Sequence, residues 1–245
     1  MDELRAKNPN VILLAEVRQR DAHLHTQYPE DWPYWVRGEN GNLVESSGYA
    51  GIYLIDTTDP KVQDIIVQQA VAIAKCGLYD GIFFDWLLED GGSLRDFSVH
   101  PAPFLRPPEA EREARLAILQ RIRQAVPDDF LILCNQTRTK LKLSAPYVNG
   151  AFMETFQDYE GGYTYSGLAE IESTLLWSEN NLREPQINCL EGWGIPTEPP
   201  DSPINQRWMR VFTTMSLTLS DGFILYNDGR KIYGEYDHQH WWYDF

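Results

Sequence analysis

Gly77–Asp85, GLYDGIFFD, limits the possible folds more than any other stretch of the chain. Its centre, Gly81-Ile82-Phe83-Phe84, is apolar on consecutive residues, the pattern of a parallel strand covered on both faces, and Asp85 is the first charge after it. Ahead of it, Ile65, Ile66, Ala70, Ile73 and Ala74 recur at helical spacing between Val62 and Cys76, and Gly77 gives the backbone freedom to leave the helix. The order is helix, turn, strand, carboxylate.

The same pattern repeats. Six strand-like runs end on polar residues: Val11 to Ala15 at Glu16, Gly81 to Phe84 at Asp85, Phe130 to Cys134 at Asn135, Ala151 to Met153 at Glu154, Gln186 to Leu190 at Glu191, and Gly222 to Tyr226 at Asn227 and Asp228. Helical patterns lie between them at Val62 to Cys76, Glu109 to Val126, Leu168 to Asn180 and Ile204 to Leu219, with a weaker one, a short helix or only a turn, after Ser144 or Ala145. This alternation predicts a parallel α/β architecture. We expect a TIM-type (β/α)8 barrel forming a single domain over residues 1–245. Six units fall short of eight, so the barrel is expected to be incomplete, lacking about two N-terminal strands and the last helix. The helix-like start, Asp2 to Lys7, and the abrupt aromatic end fit that expectation. No GxGxxG or GxxxxGK[ST] loop supports a nucleotide-binding alternative.

A formal charge of −15 argues against nucleic acid or an anionic membrane as partner, and no apolar run is long enough to span a bilayer. Localisation is left open, with secretion or cell-surface display consistent with a truncated N-terminus. Aromatic residues make up 13% of the chain, and sugar clefts use such rings to stack against pyranose faces. The partner expected is a carbohydrate, no cofactor is implied, and open barrel edges invite self-association. Cys76, Cys134 and Cys189 sit in apolar runs and read as buried thiols. The pairs His23/His25 and His238/His240 carry metal-ligand spacing, yet no histidine closes a later strand, so no metal site is expected.

Two long connections, Gln19 to Tyr49 and Glu89 to Pro108, follow strand C-termini, where barrels build their clefts. In the first, Trp32, Tyr34 and Trp35 form an outer sugar subsite or pack the loop onto the barrel. Glu16 and Arg18 hold a hydroxyl or pair with each other. Asn135, Gln136 and Arg138 bind hydroxyls, orient the nucleophile or bond the loop. Trp86, Trp193 and Tyr226 stack on a sugar or pack the rim, and Asn227 lies at the last strand end. Asp56 lines the cleft, and Asp59 caps the helix opened by Pro60.

WPYWVRGENGNLV (Trp32–Val44), YLIDTTDPKVQDIIV (Tyr53–Val67), GLYDGIFFDW (Gly77–Trp86), SDGFILYND (Ser220–Asp228) and DHQHWWYDF (Asp237–Phe245) resemble the barrels labelled hypothetical glycosyl hydrolases. That resemblance implies a (β/α)8 barrel of retaining type, with an Asp nucleophile after strand four and a carboxylate acid/base after strand six. With two strands missing, these roles fall on Asp85 and Glu154. Glu191, at the next strand end, is an equally well placed acid. A non-catalytic carbohydrate-binding barrel and, further off, a metal-dependent hydrolase are the alternatives. The absence of a GxSxG elbow disfavours a serine hydrolase.

Overall fold

The computed structural model describes residues 1–46, 50–199 and 201–227. Asp228, His238, His240, Trp241 and Trp242, along with Tyr49 at the end of the first long connection, lie outside the described residues. The chain divides between Cys134 and Asn135 into two compact units.

The first unit runs α1 (Asp2–Lys7), β1 (Leu14–Glu16), β2 (Asp21–His23), β3 (Ile52–Leu54), α2 (Pro60–Cys76), β4 (Gly81–Phe84) and α3 (Pro108–Ala125), and closes with β5 (Leu131–Asn135), whose last residue opens the second unit. β4 pairs in parallel with β1 on one side and β5 on the other. Gly81 is required there, because a Cβ would lie 2.2 Å from the Leu131 carbonyl oxygen. α2 starts where Asp59 accepts from the Lys61 N–H at 2.7 Å with Pro60 behind it, and it stops at Gly77, whose φ of 67° suits glycine. The buried face of α2, Val62, Ile66, Val67 and Ala70, packs on α3 and β4. Burying a side chain such as Ile66 contributes about 1.5–3 kcal/mol.

The second unit contains β6 (Gly150–Thr155), α4 (Tyr165–Asn181), β7 (Cys189–Trp193), α5 (Pro203–Leu219) and β8 (Phe223–Asn227), with β7 pairing in parallel with β6 and β8. Thr164 and Ser202 cap α4 and α5 through their side-chain oxygens. α5 turns Asn205, Met209, Phe212 and Ser216 onto β7 and β8. The described chain is thus an α/β fold with three parallel strands in each unit, TIM-like in its alternation. No described helix is long and apolar enough to cross a membrane.

Several local expectations need correction. The first strand starts three residues later than its apolar run, at Leu14, since Val11 bonds back to Asn8 and Leu13 N–H donates to the Asp80 side chain. Of the two readings of the stretch after Ser144, the turn is the one that forms. The first long connection is not open loop. Its β2 pairs antiparallel with β3, and Val36, Val44, Leu54 and Leu94 bury together, with Leu105 of the second long connection packed against them. Cys76 is exposed at the end of α2, whereas Cys134 and Cys189 are buried as expected.

Candidate active site

In the first unit the end of β4 is the focal point. Phe84 is fully buried, Asp85 is half-buried, and Trp86 turns out of the strand with φ 52°, a left-handed conformation that an indole-bearing residue rarely adopts. Buried side chains hold this elbow. The Gln19 amide donates to the carbonyls of both Asp85 (2.9 Å) and Trp86 (3.0 Å). Gln19 Oε1 in turn accepts from Arg115 Nε at 3.3 Å. Arg115 also donates to the Leu88 carbonyl and Ser93 Oγ, and it pairs with Glu111 at 3.3 Å. Glu111 closes the network by accepting from the N–H groups of Ser93 and Leu94. Burial pushes the Arg115 guanidinium down to about 10, against the pull of Glu111.

Charge around Asp85 comes from the segment after β1. Arg18 pairs with Asp21 at 2.7 Å and Glu16 at 3.4 Å. Burial opposes its charge, but Asp21, Glu16 and Asp85 outweigh that and hold it above the ordinary value. Arg20 is buried, and desolvation wins there: its guanidinium is pushed down although Asp21 and Asp85 favour the charged form. Asp85 therefore has two cations within electrostatic reach.

In the second unit the ends of β6 and β7 carry Glu154 and Glu191 in register. Register partners on parallel strands share a face, so both side chains leave the sheet together. Gly192, between Glu191 and Trp193, faces Phe212 of α5, which puts Glu191 on the side away from the helix. Glu154 is half-buried, and Oε2 accepts from Asn135 Nδ2 at 2.9 Å. Glu191 is completely buried.

No family model matches the chain, and no curated protein matches it in sequence. Solved structures do. A noncanonic maltogenic α-amylase, AmyB from Thermotoga neapolitana, aligns at 13% identity and a TM-score of 0.52 over 92% of this chain and 48% of the amylase. The glycoside hydrolase domain of PelA from Pseudomonas aeruginosa aligns at 13% identity and 0.56 over 94% of this chain and 83% of that domain. The galactosidase domain of the α-galactosidase-sucrose kinase AgaSK aligns at 11% identity and 0.54 over 96% and 29%. The fold is glycoside-hydrolase-like. This chain spans about half of the amylase structure, and likeness at such identity concerns the fold alone.

Within each unit the structure groups some expected site residues and separates others. Glu16, Arg18, Asp85 and Trp86 cluster in the first, and Asn135, Glu154 and Glu191 in the second. Arg138, expected to bind hydroxyls, orient the nucleophile or bond the loop, takes the last of these roles, pairing with Asp158 (2.5 Å) and donating to the Phe156 carbonyl. Tyr226 lies on the helix side of β8, its hydroxyl donating to the Asn205 carbonyl at 3.0 Å, so it packs α5 rather than offering a ring to a sugar. Trp193 shares the face of Glu191 but is fully buried against Phe156, with ring centroids 4.8 Å apart. Asn227 is its register partner, also buried, with its carbonyl accepting from Gly194. Gln136 is buried, and its amide has no hydrogen-bond partner among the described residues.

Asp56, expected in the cleft, pairs with Arg106 at 2.5 Å. Trp32 stacks on Tyr28 at 3.9 Å and meets Tyr34 and Trp35 edge-on, so these rings saturate one another and pack the loop. His25 has φ 62°, which breaks the extended geometry that would aim His23 and His25 together. Among the described residues no group of His, Cys, Asp and Glu is arranged to hold a metal ion. Sequence reasoning missed Gln19, Arg20 and Arg115. The only signal was their polarity beside apolar runs, which also describes solvated surface.

Proposed function

We propose that the protein is a retaining glycoside hydrolase acting on an oligo- or polysaccharide, with Asp85 as nucleophile and Glu154 as general acid/base. The reading takes residues 1–245 as one (β/α) barrel domain. The observation that carries it is Glu154, a half-buried carboxyl at the C-terminal end of β6 that accepts from the Asn135 amide. Barrel enzymes gather their reacting groups at such strand ends. The glycoside-hydrolase-like fold adds support. Accessibility favours Glu154 over Glu191, because an acid that protonates a leaving oxygen must reach it and Glu191 is fully enclosed. In the chemistry proposed, Asp85 attacks the anomeric carbon as Glu154 gives its proton to the departing oxygen. Glu154 then takes a proton from the water that releases the sugar.

Aryl glycosides of both anomeric configurations, with and without azide, test the assignment. Asp85→Ala and Glu154→Ala should each lose about 10²–10⁴-fold in turnover. Azide should restore Glu154→Ala with retained product configuration and Asp85→Ala with inverted configuration. An active Glu154→Ala beside an inactive, azide-rescued Glu191→Ala would transfer the acid role. Carbohydrate binding without turnover, unaffected by Asp85→Asn, would make the barrel a binding module. We also propose self-association through β1 and β8, which each pair on one side only among the described residues. A monodisperse monomer at high concentration in light scattering would refute it.

A further inference from the structure

Trp86 is the exposed ring beside Asp85, and what lies beneath it is unusual. The Arg20 guanidinium carbon is 4.1 Å from the centroid of the Trp86 ring. Arg20 is only 2% exposed while Trp86 is 36% exposed, so the cation covers part of the indole and leaves the rest open. Arg20 is itself held by neighbours: Nε lies 3.4 Å from Asp21 Oδ2, and Nη2 donates to Ser46 Oγ, which donates onward to Asp21 Oδ2 at 2.6 Å. Nη1 has no hydrogen-bond partner among the described residues. A buried guanidinium with an unused donor is costly, and the ring face is what it meets instead. The left-handed backbone of Trp86, fixed by Gln19, keeps the indole over that cation.

We infer that Arg20 is a positioning residue that supports Trp86 as a stacking platform for the apolar face of a pyranose next to Asp85. The inference rests on the glycosidase reading for its substrate class, though the Arg20–Trp86 support can be tested without it. Lysine would keep the charge and lose the planar group that covers an indole. Methionine would lose both.

Trp86 is read in the full chain as the emission difference between each protein and its Trp86→Phe counterpart, with acrylamide as quencher. Removing the cover in Arg20→Met should make the Trp86 component about twofold more quenchable, and Arg20→Lys should fall between that and the unmodified protein. An unchanged Trp86 component in Arg20→Met overturns the proposal. If Arg20→Met does not fold, Arg20→Lys decides alone, and an unchanged component there overturns it equally.

A second arm uses the aryl glycoside that the protein turns over fastest. Arg20→Met and Trp86→Ala should each raise KM about tenfold with a smaller effect on kcat, and the double variant should be no worse than Trp86→Ala, since the two act through one ring. Multiplying losses would overturn the proposal. Absence of turnover in the unmodified protein would remove the glycosidase reading, while the quenching arm would still decide whether Arg20 supports Trp86.

Discussion

Gln19 Nε2 lies 2.9 Å from the Asp85 carbonyl oxygen and 3.0 Å from that of Trp86, so one side chain after β1 fixes the backbone at the end of β4. Gln19→Leu keeps much of the volume and removes both donors. The two carbonyls lose this donor, that of Trp86 keeping the Leu88 N–H, and Arg115 Nε loses an acceptor, which should cost about 1–3 kcal/mol in urea unfolding. In the proposed chemistry, displacing the Asp85 carboxylate by a fraction of an ångström should also lower kcat, by about 10–100-fold, with KM little changed. Equal kcat in Gln19→Leu would show that the elbow holds without it.

Asn135 makes a matching prediction in the second unit. Its amide donates to Glu154 Oε2 at 2.9 Å, and Asn135→Ala removes that donor. The expected result is a fall in kcat/KM of about 10–100-fold. Asn135→Asp, which replaces the donor by a second carboxylate, should be worse than alanine. Steady-state kinetics on an aryl glycoside with a poor leaving group is the informative assay, because the proton donation proposed for Glu154 matters most there.

Strand ends were readable in the sequence because buried parallel strands are apolar on successive residues, so the first polar residue marks the exit. That logic located Asp85, Asn135, Glu154 and Glu191 to within two residues of the strand ends. It failed for Tyr226, which lies beside Asn227 in sequence but on the opposite face of β8. Period-two counting from Gly192, its register partner, would have assigned it to the helix side. β2 and β3 escaped notice because three-residue strands are too short to show alternation. Arg20 and Arg115 escaped because a buried arginine is recognised only by partners distant in sequence, here Ser46 for one and Gln19 for the other.

The three cysteines should react in two classes. Burial pushes the thiols of Cys134 and Cys189 far up, whereas Cys76 is exposed at the end of α2, with its sulfur 3.0 Å from the Ile73 carbonyl. A disulfide reagent at neutral pH should therefore label one thiol per native chain promptly and all three in denaturant. Mass spectrometry of the native adduct should place the label on Cys76. Prompt labelling of Cys134 or Cys189 would mean that their cores open readily.

Asp158 ties the connection after β6 to α4. Burial works against its charge, but the Thr164 N–H at 2.7 Å, Arg138 and the Thr164 hydroxyl outweigh this and hold the carboxyl below its ordinary value. A depressed folded-state value means stability that is fully present above the ordinary aspartate value of 3.8 and lost as the pH falls through the lower folded one. Asp158→Asn should therefore be less stable than the unmodified protein at neutral pH, with the gap narrowing below pH 3.8. Urea midpoints across that range measure it. A gap independent of pH would assign the effect to lost packing rather than to the carboxylate.

Gly192 sits between Glu191 and Trp193, and its missing side chain is filled by α5. A Cβ there would meet the Phe212 ring at 2.3 Å, and Phe212 is completely buried, with Tyr163 4.8 Å away between ring centroids. The ring has little room to retreat, because Tyr163 is pinned: its hydroxyl donates to the Thr155 carbonyl at 2.6 Å and accepts from the Trp193 N–H at 2.8 Å. Gly192→Ala should thus push α5 off β7 and destabilise the protein by about 1–3 kcal/mol. Phe212→Leu alone opens a cavity and should also destabilise. Together the two should cost less than their sum, because the new methyl enters the space that the ring leaves. Unfolding midpoints of the four proteins measure the coupling. Strict additivity would show that the clash relaxes by backbone movement at β7, and in that case the movement should also register at the neighbouring Glu191.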